Sequence, residues 1–182
     1  MKALLINGSP RKGGNTVTAV KTVTASIQRD MPGCVVEQMD AASLNLSGCI
    51  HCDGCRRNGG TCVLKDGGAE VMEKLFEAQR IIFATPVYWW GVTSQLKAII
   101  DRMYSKAVQM KNLKMKKEIG IVAIGEDKIT GEQYDLISRQ MQCICDYMGW
   151  DLVMDVAICA AGPNDLAGDE QQLMKLRAHS WK

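Results

Sequence analysis

The sequence lacks any marked imbalance of charge: 22 Lys and Arg stand against 20 Asp and Glu, a net charge of +2. Nothing in that balance calls for nucleic acid or an anionic membrane as a partner. No apolar run approaches the roughly 18 residues that a transmembrane helix needs. The opening Ala3-Leu4-Leu5-Ile6 is too short for the apolar centre of a signal peptide, so the cytoplasm is the expected compartment. Repeats, low-complexity tracts and Pro/Gly/Ser linkers are absent, and residues 1–182 are expected to form one domain. Two nucleotide signatures are also missing. Gly-x-Gly-x-x-Gly occurs nowhere, and Gly8-x4-Gly13 is followed by Gly14-Asn15 rather than the Lys-Ser/Thr of a Walker A loop. A dedicated dinucleotide fingerprint and an NTPase site are thereby excluded.

What is present begins with rhythm. Short apolar runs without polar alternation mark strands buried on both faces: Lys2 to Asn7, Cys34 to Asp40, Arg80 to Thr85, Glu118 to Ile124 and Leu152 to Cys159. Helical patterns fall between them, from Thr16 to about Arg29, about Gly68 to Ala78, about Thr93 to Ser105 and Gly131 to Met148, with a terminal helix from about Leu166 to His179. The basic run Lys111 to Lys117 reads as a solvated connection. This alternation implies an α/β protein with a doubly wound, five-stranded parallel sheet in the flavodoxin-like order 2-1-3-4-5. Ligands of such sheets bind beyond the carboxyl ends of the strands at the switch point. The loops that begin at Gly8, Pro86 and Gly125 are therefore the ones to watch.

The first of these, Gly8-Ser9-Pro10-Arg11-Lys12-Gly13-Gly14-Asn15-Thr16, has the parts a terminal phosphate needs. Ser9, Asn15 and Thr16 supply short donors, Arg11 and Lys12 supply charge, and the helix that follows aims its positive end at the site. Asn15 or Thr16 could also serve as the N-cap of that helix. With NTP and dinucleotide signatures absent, a mononucleotide such as FMN is what remains. Aromatic residues are only 5% of the chain, yet three are consecutive in the second loop, Pro86-Val87-Tyr88-Trp89-Trp90-Gly91. Flat apolar walls with backbone donors suit an isoalloxazine ring; a subunit interface is the other use for such tryptophans.

Four of the eight cysteines fall within fourteen residues, Cys49-x2-Cys52-x2-Cys55-x6-Cys62, in a cysteine-rich loop of about 45–66. In a reducing compartment, metal binding explains them better than disulfides. Three thiolates at steps of three can wrap one side of a 4Fe–4S cubane, and six intervening residues at about 3.3 Å each give Cys62 ample reach as the fourth ligand. Structural zinc prefers two separated Cys-x2-Cys knuckles, but zinc and free redox-active thiols both stay open. His51 reads as an exposed loop residue. Cys34 and Cys159 read as core residues of strands, Cys143 and Cys145 as thiols facing different ways on one helix, and the eleven methionines as core filling.

Taken together, Leu4-Leu5-Ile6-Asn7-Gly8-Ser9-Pro10-Arg11-Lys12-Gly13-Gly14-Asn15-Thr16, the Thr85-to-Gly91 loop with Gln95 to Arg102 after it, and the cysteine run resemble the iron–sulfur flavoprotein family, part of the wider NADPH-dependent FMN reductase group. The likeness covers about 1–125. It implies a homo-oligomer, dimer or tetramer, with FMN and a 4Fe–4S cluster close together near a subunit interface. A ferredoxin-like donor would feed the cluster and FMN, and oxygen, peroxide or a quinone would accept the electrons. A plain NAD(P)H-dependent flavin or quinone reductase, with nicotinamide a transient substrate stacked against Tyr88 or Trp89, is the alternative; a zinc-stabilised flavin-binding module is a lesser one. No residue stands out as an acid, base or nucleophile. The loop Gly125-Glu126-Asp127-Lys128 lacks the glycine-rich run of many relatives.

Overall fold

A computed structural model of the chain describes residues 1–181. Five parallel strands form one sheet: β1 (Lys2–Asn7), β2 (Val35–Asp40), β3 (Arg80–Pro86), β4 (Glu118–Gly125) and β5 (Asp151–Cys159). Their order is β2-β1-β3-β4-β5, the expected one. Residues alternate between two core layers along each central strand. Leu4, Ile6, Ile81 and Phe83 enter one layer; Ala3, Leu5, Ile82 and Ala84 enter the other. Both faces are buried, which is why these runs carry no polar alternation.

The helix α1 (Asn15–Asp30) covers the second layer with Ala19, Val20, Val23 and Ile27. These recur at helical spacing and put one stripe on the sheet. Five helical elements lie between β2 and β4: a 3-10 turn (Ala41–Leu44), a single helical turn α2 (Gly54–Arg57), α3 (Gly68–Glu77) and then, after β3, α4 (Ser94–Arg102) with α5 (Tyr104–Asn112). With α6 (Glu132–Met148), the helices α3 to α5 cover the first layer. The short α7 (Asp165–Gly168) and α8 (Glu170–Ala178) return to α1's side.

Three expectations need correction. The helix expected over Thr93 to Ser105 breaks at Met103. The break lets Arg102 bury its guanidinium toward Asp66 while Met103 and Met110 both reach the core. The Lys111-to-Lys117 run is not wholly solvated: Lys111 and Asn112 extend α5, and Lys117 is 2% exposed, its ammonium donating to the carbonyls of Phe76 (3.0 Å) and Ala78. The terminal helix is interrupted at Asp169, whose carboxylate accepts from the Gln172 N–H (3.1 Å) and starts α8 afresh.

Cys145 is buried in α6 and its neighbour Cys143 is exposed, as their two-residue spacing requires. Burial pushes the Cys145 thiol up to about 11. Cys34 and Cys159 are half-buried at strand ends rather than core residues. Among the described residues all eight cysteines are free, and no helix is long and apolar enough to cross a membrane.

Candidate active site

The strands end level with one another. Asn7 pairs with Ala84, Pro86 with Ile124, and Gly125 with Cys159, so four loops leave the sheet along one edge. They surround a cavity of about 660 Å³ lined by Ser9, Arg11, Thr16, Val87, Trp90 and Gly125, among others. That volume lies within the range of about 300–1,000 Å³ typical of small-molecule sites.

The first loop is locked from below. The Asn7 amide donates to Asp40 at the end of β2 (2.8 Å) and accepts the Ser9 N–H (3.0 Å). Gly8 N–H donates to Ala84 O (2.7 Å), and the buried Thr93 hydroxyl donates to Gly8 O (2.6 Å) while its oxygen caps α4 at Leu96 N–H (3.2 Å). A Cβ on Gly8 would stand 3.0 Å from Leu96 Cβ, so this close crossing of loop and α4 favours glycine. Ser9 Oγ accepts the Arg11 N–H (3.2 Å), which leaves the hydroxyl proton free for a ligand. The first turn of α1, with no acidic residue in it, opens on the same space.

The cap of α1 is Gly14, at φ 100°, rather than Asn15 or Thr16. Asn15 is committed elsewhere. Its amide donates to Gly162 O (2.7 Å) and accepts the Leu166 N–H (3.0 Å), and its backbone N–H donates to Pro163 O (3.1 Å). The side chain thus stitches the phosphate-type loop to the loop after β5. Thr16, 4% exposed, faces the cavity floor.

The aromatic loop is a tight hairpin. Tyr88 and Gly91 exchange two backbone hydrogen bonds of 2.9 and 3.1 Å, and Trp89 and Trp90 between them have φ of 49° and 58°. Positive φ at both central residues is the requirement of a type I′ turn, normally met by Asn and Gly. Bulky L-residues held there cost about 1–2 kcal/mol each. Trp89 is 92% exposed, so burial of its ring in this chain does not offset that cost. Strain of this kind clusters at ligand clamps and interfaces.

The opposite wall comes from β4 and α6. Tyr134 is buried, its hydroxyl 2.9 Å from Asp127 O and 3.1 Å from Ile158 O, and desolvation raises its pKa and keeps it protonated. Gln133 Nε2 lies close to Gly125, buried and with no hydrogen-bond partner of good geometry, and it is near enough to the Tyr134 hydroxyl to offset part of the rise in that group's pKa. An unpartnered buried donor in a cavity wall is what an absent acceptor leaves behind. With the α1 terminus, the free Ser9 hydroxyl and the aromatic wall, it makes the residues present fit a flavin mononucleotide.

Comparison with known proteins agrees. The NADPH-dependent FMN reductase family matches residues 1–147. The chain belongs to that family. Within it, an iron–sulfur flavoprotein of Methanocaldococcus jannaschii is 35% identical over 138 residues, 75% of this chain and 67% of the relative. An iron–sulfur flavoprotein of Methanosarcina thermophila is 31% identical over 150 residues, 81% of this chain and 73% of the relative. Membership of the iron–sulfur flavoprotein branch follows. The chain spans about half to two thirds of the length of the first curated relatives it matches, 66%, 67%, 46% and 56%. In fold it is similar to the Trp repressor binding protein from Bacillus subtilis, with a TM-score of 0.70, 22% identity and all of both chains covered.

The cavity gathers most of the residues expected from sequence: Ser9, Arg11, Asn15, Thr16, Pro86, Val87, Tyr88, Trp89, Trp90 and Gly125 all line it. Lys12 and Gly91 do not; Lys12 is exposed on the same loop, and Gly91 closes the turn. Sequence reasoning missed Gln133 and the fourth wall, Ala160 to Pro163. No polar motif marks that wall. The only signal was position, since it leaves the carboxyl end of β5.

The cysteine loop leaves β2 at the same sheet edge. Its neck is closed by the buried Arg102, which donates to both oxygens of Asp66 (3.0 and 2.9 Å) and to Ser47 O (3.1 Å). Asp66 also accepts from the N–H groups of Ser47 (3.1 Å) and Gly68 (2.9 Å), and these bonds hold its carboxyl down at about 2. Further along, the Tyr104 hydroxyl donates to Asp53 (2.8 Å), and His51 meets the Tyr104 ring edge-on. His51 and Asp53 sit at φ 51° and 53°, two left-handed residues flanking Cys52. Cys49 and Cys52 are exposed, Cys55 is buried and Cys62 half-buried. Four thiols in one loop match a tetrathiolate centre in donor type, number and reach. Among the described residues, however, no three His, Cys, Asp or Glu side chains stand together as a ready metal site.

Proposed function

We propose that this oxidoreductase transfers electrons between a 4Fe–4S cluster on Cys49, Cys52, Cys55 and Cys62 and FMN in the edge cavity, and on to a small acceptor such as oxygen, peroxide or a quinone. The observation that carries the flavin part is the cavity itself: a helix N-terminus, Ser9 and Arg11 at one end, a strained Trp-Trp turn at the other, and an unpartnered Gln133 donor between them. The cluster part is supported by the spacing of the four thiols, the clamped neck of their loop and the names of the related flavoproteins.

When bound, FMN supplies both hydride and one-electron chemistry, and a 4Fe–4S cluster supplies one-electron transfer. The chain's own residues position and tune. The α1 terminus with Ser9 and Arg11 receives the phosphate. Tyr88, Trp89 and Trp90 give the ring a wall and leave one aromatic face open to the outside. Gln133 Nε2 offers a donor to a ring acceptor, and Tyr134, kept neutral, holds the Asp127 loop in place. No acid or base is required of the protein beyond this. A reducing cytoplasm and a ferredoxin-like donor belong to the same reading, as does a homo-oligomer.

A second reading, an NAD(P)H-dependent flavin or quinone reductase with spare thiols, is favoured by one observation: the four sulfurs are not gathered into one ligand set. The two are separated by anaerobic mixing of flavin-loaded wild type and Cys52→Ala with NADPH and, separately, with a low-potential one-electron donor. The cluster reading expects the one-electron donor to bleach the wild-type flavin at least ten times faster than that of Cys52→Ala, with equal FMN content. Equal rates with that donor, and fast bleaching by NADPH in both proteins, would leave the plain reductase.

A further inference from the structure

The phosphate-type loop and the aromatic loop each start with a peptide pinned at both ends. In the Gly8–Ser9 peptide the N–H donates to the Asn7 side chain (3.0 Å) and the carbonyl accepts from the Thr93 hydroxyl (2.6 Å). In the Pro86–Val87 peptide the N–H donates to Ile124 O (2.8 Å) and the carbonyl accepts from the Thr85 hydroxyl (2.9 Å). The two threonines are joined to each other, Thr93 N–H donating to Thr85 Oγ1 (3.3 Å). Both are 0% exposed. A chain of hydrogen bonds therefore runs from Gly8 O through Thr93 and Thr85 to Pro86 O, and it ties one loop to the other.

Water does not reach this chain, so a carbonyl that lost its donor there would bear its full desolvation cost. Valine would fill the space of either threonine but can make neither side-chain bond. Thr93 is itself fixed by the start of α4, since its hydroxyl oxygen accepts the Leu96 N–H (3.2 Å) and its carbonyl the Lys97 N–H (2.8 Å). The two loops it joins bring different chemistry to the cavity. One supplies Ser9 and Arg11; the other supplies Tyr88 and the strained Trp89–Trp90 turn. A ligand that touches both loops at once is sensitive to the spacing between them. A ligand that touches only the aromatic loop is not.

We propose that Thr93 and Thr85 are positioning residues that set the spacing between the phosphate loop and the aromatic wall, and that they thereby make the cavity select a phosphorylated flavin over the same flavin without its phosphate. This assignment rests on the flavin reading above and on nothing in the cysteine loop. Each threonine acts through a carbonyl at the root of a loop that lines the cavity.

The test compares FMN and riboflavin on the holoprotein as wild type, Thr93→Val, Thr93→Ser and Thr85→Val. Each dissociation constant is read from the fluorescence of flavin released on dilution, riboflavin being loaded by exchange. In Thr93→Val the preference for FMN over riboflavin should fall about tenfold, or about 1.4 kcal/mol, with riboflavin affinity close to that of wild type. Thr93→Ser retains the hydroxyl and should retain the wild-type preference. If Thr93→Val does not fold, Thr85→Val, which leaves the α4 cap in place, should show the same fall. An unchanged preference in the valine variants, or a loss shared equally by FMN and riboflavin, overturns the assignment and leaves the flavin reading standing. An equal fall in Thr93→Ser and Thr93→Val also overturns it, because the hydroxyl is then not the cause. A wild type that holds riboflavin as tightly as FMN removes the phosphate site and the assignment with it.

Discussion

Arg102 and Asp66 face each other in a two-bond fork of 3.0 and 2.9 Å, and both are shielded from water, with side chains 1% and 13% exposed. The pair ties the two ends of the cysteine loop to α4, a helix that begins at the Thr93 cap beside the flavin cavity. One rigid element therefore carries the neck of one candidate cofactor loop and the floor of the other.

Removing one partner of a buried ion pair leaves a buried charge uncompensated. Asp66→Asn should destabilise the protein by about 3 kcal/mol and speed proteolysis between residues 48 and 66, read by urea unfolding and limited digestion. Acid should do the same more gently. The Asp66 carboxyl is held at about 2, below its ordinary 3.8. Its contribution, about 2 kcal/mol, is complete above pH 4 and is lost as pH falls through 2. A loop whose proteolysis is unchanged between pH 5 and pH 2.5 would contradict the clamp.

Arg11 stands at the rim of the cavity beside the α1 terminus. Arg11→Ala should weaken FMN binding by about 1.5–3 kcal/mol, the value of a charge-assisted hydrogen bond, without changing the melting temperature of the flavin-free protein. Fluorescence titration with FMN checks it, and unchanged affinity would remove Arg11 from the phosphate site.

The Trp89–Trp90 turn predicts a separation of stability from binding. Trp90→Gly places the residue best suited to positive φ where a tryptophan now sits. The flavin-free protein should gain up to about 1 kcal/mol, since the strain is released, while FMN affinity falls through the loss of an aromatic wall. Loss of stability together with full affinity would mean that Trp90 packs for the fold alone.

Lys117 gives an alkaline signature. Burial lowers its pKa from 10.5 to about 8. Between those values the unfolded chain holds the extra proton, so stability should rise with pH from about 8 to 10.5, by up to about 3 kcal/mol. In Lys117→Met that slope should vanish. Chemical denaturation across the range is the check, and a wild-type curve as flat as the variant's would refute it.

Much of the fold was legible because parallel strands buried on both faces cannot hide in sequence. Leu4-Leu5-Ile6 and Ile81-Ile82-Phe83 are apolar at every position, and the edge they end on is where the loops at Gly8, Pro86 and Gly125 gather. What stayed hidden depends on contacts far apart in the chain. Asn15 reads as a phosphate donor, but its amide is bound to Gly162 and Leu166, roughly 150 residues away. The α4–α5 break follows from Arg102's need to reach Asp66, which no local propensity records. Gln133 carries no motif and shows itself only as an unpartnered atom.

The most direct test is an anaerobic absorption spectrum of the purified protein with flavin, iron and acid-labile sulfide assayed on the same sample. The account predicts flavin bands above a broad shoulder near ~400 nm, one FMN per chain, and about four iron and four sulfide per chain, as a tetrathiolate cubane requires. A protein that binds FMN but takes up neither iron nor sulfide, even after anaerobic reconstitution, would contradict the paired-cofactor account and leave a flavin reductase with four free thiols.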